Sequence, residues 1–190
     1  MKKLIIISDI LGTENDTWLK FYTDILEQHF EIVYYDCREL ANIDKSLLDK
    51  ELIHQQFLNG GIISAVDNLV KKESNEIVLL GFSIGGYIAW KAVESGLKVK
   101  GLIAISSTRL RFETNKPTSE INLYYGALDT NKPLEDWSLN LNLNPTYFEN
   151  ESHDFYMKKE LAEVICRDII NYMAEDKKQD ETLLDRVNNE

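Results

Sequence analysis

Apolar residues fall along the chain in six short runs: Lys3–Ser8, Glu31–Tyr35, Ile77–Phe82, Val99–Ser106, Ile121–Tyr125 and Thr146–Phe148. Several are apolar at successive positions, which suits strands covered on both faces in a parallel sheet, since a strand with one wet face alternates instead. Between the runs the period changes. Trp18, Phe21, Tyr22, Ile25, Leu26, His29 and Phe30 recur at i, i+3, i+4, i+7, i+8, i+11 and i+12, one broad apolar helix face. Ile62, Val66, Leu69 and Val70 repeat the pattern before the third run, and Leu161, Val164, Ile165, Ile169 and Tyr172 form another such face near the C-terminus. Asn59-Gly60-Gly61 marks either the start of the second helix or a break within a longer one. A further helix, following Ser83, is expected to stop at Ser95-Gly96, where glycine takes the left-handed conformation. Strand–helix alternation of this kind predicts an α/β fold with a doubly wound sheet and helices on both faces.

Length and composition narrow the picture. The 190 residues suit one domain with a sizeable core, expected over residues 1–173. The highly charged segment from Ala174 to Glu190 reads as a solvated helix or frayed tail. A formal net charge of −11 argues against non-specific binding of nucleic acid or anionic membranes, which depends on surplus Lys and Arg. The opening "MKKLIIISDILG" has too short an apolar run for a signal peptide or a membrane span, so the expected location is cytoplasmic. Cys37 and Cys166 make no disulfide framework and show no metal-ligand spacing; neither a metal nor a cofactor is expected.

The chemistry centres on "VLLGFSIGGYIAW", residues 78–90, which begins as a strand and ends as a helix. Ligands of parallel α/β sheets bind beyond the carboxyl ends of the strands, and Ser83 stands at such an end. Gly81-x-Ser83-x-Gly85 matches the nucleophile-elbow pattern, in which glycines let strand and helix pass close to a strained serine. A Gly-rich phosphate loop is the rival reading, but Gly-x-x-x-x-Gly-Lys-Ser/Thr is absent and the motif does not follow the first strand. A purely structural turn is the plainer alternative.

A serine hydroxyl needs a base, and the base an orienting acid. Of the three histidines, His29 and His54 fall on or near helices, as surface or core-edge residues. His153 follows the last strand, on the same edge as Ser83. Asp129, in "YYGALDT", follows the fifth strand on that edge; Glu149, Glu151 and Asp154 are alternative carboxylates. The order Ser83, Asp129, His153 is the one expected of an elbow-type hydrolase.

On these residues the chain resembles the α/β-hydrolase superfamily, through "GFSIGG", "GALD" and "ESHDF", over roughly residues 3–173. "DILGTENDTW" stands where that family usually has a His-Gly-x-Gly loop followed by tryptophan, and "YYDCREL" looks like its Asp-x-Arg segment. The resemblance implies six central, mostly parallel strands, with the family's two N-terminal strands missing. It also implies an oxyanion hole of two backbone N–H groups, which the motifs carry over to Ile84 and Leu11. Asp9-Ile10 replaces the His-Gly pair, so the loop is open to a different bend, and Ile10 is the neighbouring candidate donor. Asp9 either places a negative charge near the hole or caps the loop's own N–H groups.

Only fifteen residues, "STRLRFETNKPTSEI", stand where many relatives carry a helical lid, which predicts an open site. The expected function is a serine hydrolase cleaving an ester or thioester of a small-molecule or carrier-bound acyl substrate. The alternatives are an acyltransferase using the same intermediate and a binding protein without turnover. Arg109 and Arg111 sit on the fifteen-residue segment. Solvated loop arginines are the commoner case; the functional reading has Arg109 hold an acidic group of the substrate or its carrier.

Overall fold

The computed structural model describes residues 1–12, 17–74 and 76–187, with side chains through residue 174. Six strands, β1 (Lys2–Ile7), β2 (Phe30–Tyr35), β3 (Ile77–Phe82), β4 (Val99–Ile105), β5 (Glu120–Gly126) and β6 (Thr146–Phe148), form one sheet. Every pairing is parallel, in the order β2-β1-β3-β4-β5-β6. The chain runs from β1 out to the β2 edge and returns on the far side of β1 to start β3. This reversal opens a crevice beyond the carboxyl ends of β1 and β3, where doubly wound sheets bind their ligands.

The helices are α1 (Lys20–Leu26), α2 (Cys37–Leu40), α3 (Lys50–Gln56), α4 (Ile62–Lys72), α5 (Ile84–Glu94), α6 (Glu135–Asn140) and α7 (Lys159–Val187). The near-continuous apolar runs divide between two cores because successive strand side chains point to opposite faces. Ile77 and Leu79 pack with Ala65, Leu69, Ile88 and Trp90 of α4 and α5; Val78, Leu80 and Phe82 pack with Tyr22 and Leu26 of α1 and Ile165 and Ile169 of α7. Helix α5 is apolar nearly all round because it lies in the thick of the first core: nine of its eleven residues are buried.

One expectation is corrected, and one open alternative is decided. The apolar stripe from Trp18 to Phe30 is not one helix. A 3-10 turn, Thr17–Leu19, leads into α1, which ends at Leu26, and Phe30 opens β2 opposite Lys2. Sheet pairing overrides the helical period there, and His29 is left exposed in the turn. Asn59-Gly60-Gly61 is the break in a longer helical run, not a start. Gly60 has φ +112°, and with Asn59 it kinks the chain between α3 and α4. Gly96, at φ +100°, ends α5 as expected.

Asp36 caps α2 by accepting from the N–H groups of Arg38 and Glu39, and the buried Arg38 donates to the carbonyls of Asp44 and Leu47. The Asp-x-Arg segment is therefore a structural clasp for the chain between β2 and α3. Residues 13–16 of the loop before Trp18, and residues 188–190 with the side chains from 175 onward in the expected tail, lie outside the described residues. No described helix is long and apolar enough to cross a membrane.

Candidate active site

Ser83 is the single residue between the end of β3 and the start of α5, with φ 51° and ψ −115°. A non-glycine residue there is strained by about 1–3 kcal/mol, a cost that persists only where the surroundings enforce it. The glycines are what enforce it. A Cβ on Gly81 would lie 2.4 Å from the backbone N of Gly86, and one on Gly85 would lie 2.3 Å from the carbonyl oxygen of Ser8. Strand, helix and the end of β1 meet without room for a methyl group, and the Ser83 side chain is turned up to the crevice.

Two other loops at the same edge meet it. Asp129 lies in the turn after β5 and is 5% exposed. Its Oδ1 accepts the Asn131 N–H at 2.9 Å, an Asx turn that fixes the carboxylate plane. Its Oδ2 lies 2.7 Å from His153 Nδ1, and His153 Nε2 lies 3.2 Å from Ser83 Oγ. With Nδ1–H donating to Asp129, Nε2 is left to accept the serine proton. Ser106, at φ 52° after β4, donates to the His153 carbonyl at 2.6 Å and steadies the loop from below. Gly126 allows this approach, since a Cβ there would lie 2.3 Å from the Ser152 carbonyl oxygen. The competing carboxylate Glu151 is paired with Lys158 instead.

The oxyanion loop departs from the expected arrangement. Ile84, first residue of α5, has its N–H outside the helix ladder, as helix N-termini do. Leu11 is different: its N–H donates to Asp9 Oδ1 at 2.9 Å. The second donor carried over by the resemblance is thus already occupied, by a residue that replaces the family's histidine. Asp9 is 3% exposed, and its Oδ2 accepts from the Tyr156 hydroxyl at 3.0 Å. Tyr156 in turn stands edge-on to the His153 ring, their centroids 6.3 Å apart. Burial pushes the Asp9 carboxyl above its ordinary value, while the Leu11 and Tyr156 donors pull it back.

That shift has a sign that can be measured. The folded state holds the Asp9 proton to higher pH than the unfolded chain, so stability falls as pH rises from about 4 through the folded value. Asp9→Asn keeps an acceptor for Leu11 and offers its amide to the Tyr156 oxygen, but has no charge to bury. Its urea midpoint, compared with wild type between pH 4 and 7, is expected to lose that decline. A parallel decline in both proteins would refute the assignment to Asp9.

Ser83 opens into a cleft of about 300 Å³ lined also by Ile10, Ile84, His54, Thr108, Arg109, Arg111 and Asn131. His54, read from the sequence as a surface or core-edge residue, lies on α3 and lines this cleft. The serines after β4 carried a signal in the sequence, hydroxyls at the active end of a central strand. Between β4 and β5 there is one 3-10 turn, Thr108–Phe112, and among the described residues no cap domain.

The protein has the α/β-hydrolase fold in a small, lidless form with six parallel strands. Solved structures of that fold match most of the chain. Est1E from Butyrivibrio proteoclasticus, solved with ferulic acid bound, is 16% identical with a TM-score of 0.61, over 92% of this chain and 89% of its own. Mouse alpha/beta hydrolase domain-containing protein 10 is 12% identical with a TM-score of 0.66, over 91% and 90%. A Thermoplasma acidophilum protein described as a predicted CIB-like hydrolase is 16% identical with a TM-score of 0.66, over 90% and 86%. No protein-family model matches the sequence, and no curated protein matches it.

Proposed function

We propose that the protein is a serine hydrolase that cleaves an ester or thioester of a small or carrier-presented acyl substrate. The observation that carries this reading is the unbroken chain from Asp129 through His153 to a strained Ser83, at 2.7 and 3.2 Å. The hydrolase names borne by proteins of the same fold agree with it. As Ser83 Oγ attacks the acyl carbonyl, His153 Nε2 takes its proton and Asp129 stabilises the imidazolium. The Ile84 N–H, at the positive end of α5, faces the oxyanion. Collapse of the tetrahedral adduct breaks the bond to the alkoxide or thiolate, which leaves with the His153 proton. Water then attacks acyl-Ser83, gives its proton to the same nitrogen, and the acid departs with Ser83 restored.

A second reading, binding without turnover, is favoured by one observation: Asp9 occupies the Leu11 N–H. One experiment separates the two. The folded wild type is treated with a fluorophosphonate and weighed intact beside Ser83→Ala. The hydrolase reading expects one adduct on the wild type and none on the variant; an unlabelled wild type would leave the binding reading in its place.

A further inference from the structure

Arg109 stands out in the cleft by what it does not touch. The protein carries 32 acidic residues against 21 Lys and Arg, yet among the described residues no carboxylate pairs with Arg109 or Arg111. The acids on adjoining segments are already occupied. Glu113 accepts from the Tyr87 hydroxyl at 2.7 Å and from Lys91 at 3.1 Å, and Asp129 serves Asn131 and His153. Arg111 donates to the carbonyls of Thr108 and Asn131, both neutral acceptors. Arg109 Nε is buried with no acceptor among the described residues, although buried donors in native proteins are nearly always paired.

Nor is Arg109 a freely solvated loop residue. Its guanidinium lies over the Tyr87 ring at 5.3 Å and the Phe112 ring at 5.5 Å, and Arg111 covers Phe112 at 4.3 Å. Stacking holds the planar fork in place without using its N–H donors, the condition under which a guanidinium grips a carboxylate or phosphate with two parallel bonds. His54 faces the same space. A cationic wall beside Ser83 on a chain of net charge −11 works against the field of the whole protein, which repels anions from elsewhere on the surface.

We infer that Arg109, seconded by Arg111, binds an anionic oxygen group, carboxylate or phosphate, on the substrate whose ester or thioester is cleaved at Ser83. The inference rests on the hydrolase reading for the bond that breaks, but not for the binding itself. Neutral acyl esters are then poor substrates, and the ester is one limb of a molecule that also bears an anion.

Two ester pairs test it by kcat/KM. Mono-4-nitrophenyl glutarate against 4-nitrophenyl butyrate places a carboxylate on the acyl side; 4-acetoxyphenyl phosphate against phenyl acetate places a phosphate on the leaving group. The wild type is expected to prefer the anionic member of one pair by about tenfold or more. Arg109→Met, which keeps an unbranched apolar side chain but no guanidinium, should bring that ratio to about one, and Arg109→Lys should keep part of it. Equal rates within both pairs, or a preference that survives Arg109→Met, overturn the proposal while leaving a fluorophosphonate-reactive Ser83 as a hydrolase. If no ester turns over, the hydrolase reading has failed, and calorimetry with monomethyl glutarate and with phenyl phosphate decides the binding. Saturable binding of either ligand by the wild type that Arg109→Met abolishes supports it; no binding, or binding unchanged in Arg109→Met, ends it.

Discussion

Asp129→Asn and His153→Ala are each expected to lower kcat/KM for an activated ester by about 10⁴-fold while leaving the fold intact, as loss of a triad member does where the acid sets the tautomer. Asp129 is held by the Asn131 N–H on one oxygen and meets His153 Nδ1 with the other. An asparagine in the same pose presents either its amide N–H₂ to Nδ1, forcing the imidazole proton onto Nε2, or an uncharged oxygen too weak to stabilise the imidazolium. In the first case Nε2 no longer accepts from Ser83. The two losses should not add in the double variant, because the residues act as one unit. Circular dichroism and the urea midpoint check that each variant is folded. A loss below about tenfold for Asp129→Asn would mean that another group orients His153.

Gly85→Ala is expected to be strongly destabilising. The added methyl would sit 2.3 Å from the Ser8 carbonyl oxygen and 2.6 Å from that of Ile7. Both are backbone atoms at the end of a central strand and have no rotamer by which to yield. Forced shifts of this kind cost about 3 kcal/mol or more, which for a domain of this size lowers Tm by roughly 6–12 °C. Gly96→Ala is the matched control. Its φ of +100° strains an alanine, but nothing lies within 4 Å of the new methyl, so about 1–2 kcal/mol is expected. Thermal unfolding of the pair separates steric exclusion at the elbow from conformational strain. Equal losses would show that close packing of β1, β3 and α5 is not what the glycine serves.

Much of this protein was legible along the chain, for a physical reason. The period of apolar residues is set by the backbone repeat of each element, so the six strands and the faces of α4 and α7 could be read from the sequence. The elbow motif is local too: three glycines and a serine within six residues define one turn. The order of Ser83, Asp129 and His153 carried the remaining signal because each follows a strand, and all strands of a parallel sheet end on one edge.

Other features belonged to the tertiary structure alone. Phe30 continues the helical stripe in sequence but joins β2, because pairing with Lys2 outweighs a further turn of helix. From sequence alone Asp9 either places a negative charge near the expected oxyanion hole or caps its own loop. Which it does depends on Tyr156, 147 residues away, whose hydroxyl holds one carboxylate oxygen while Leu11 holds the other. In the sequence Arg109 is like any solvated arginine; in the fold the nearby Glu113 is occupied by Tyr87 and Lys91. Sequence determines the elements through local periodicity and local turns. Only the folded chain decides which partner a polar side chain has, because those partners are brought together by packing between elements far apart in sequence.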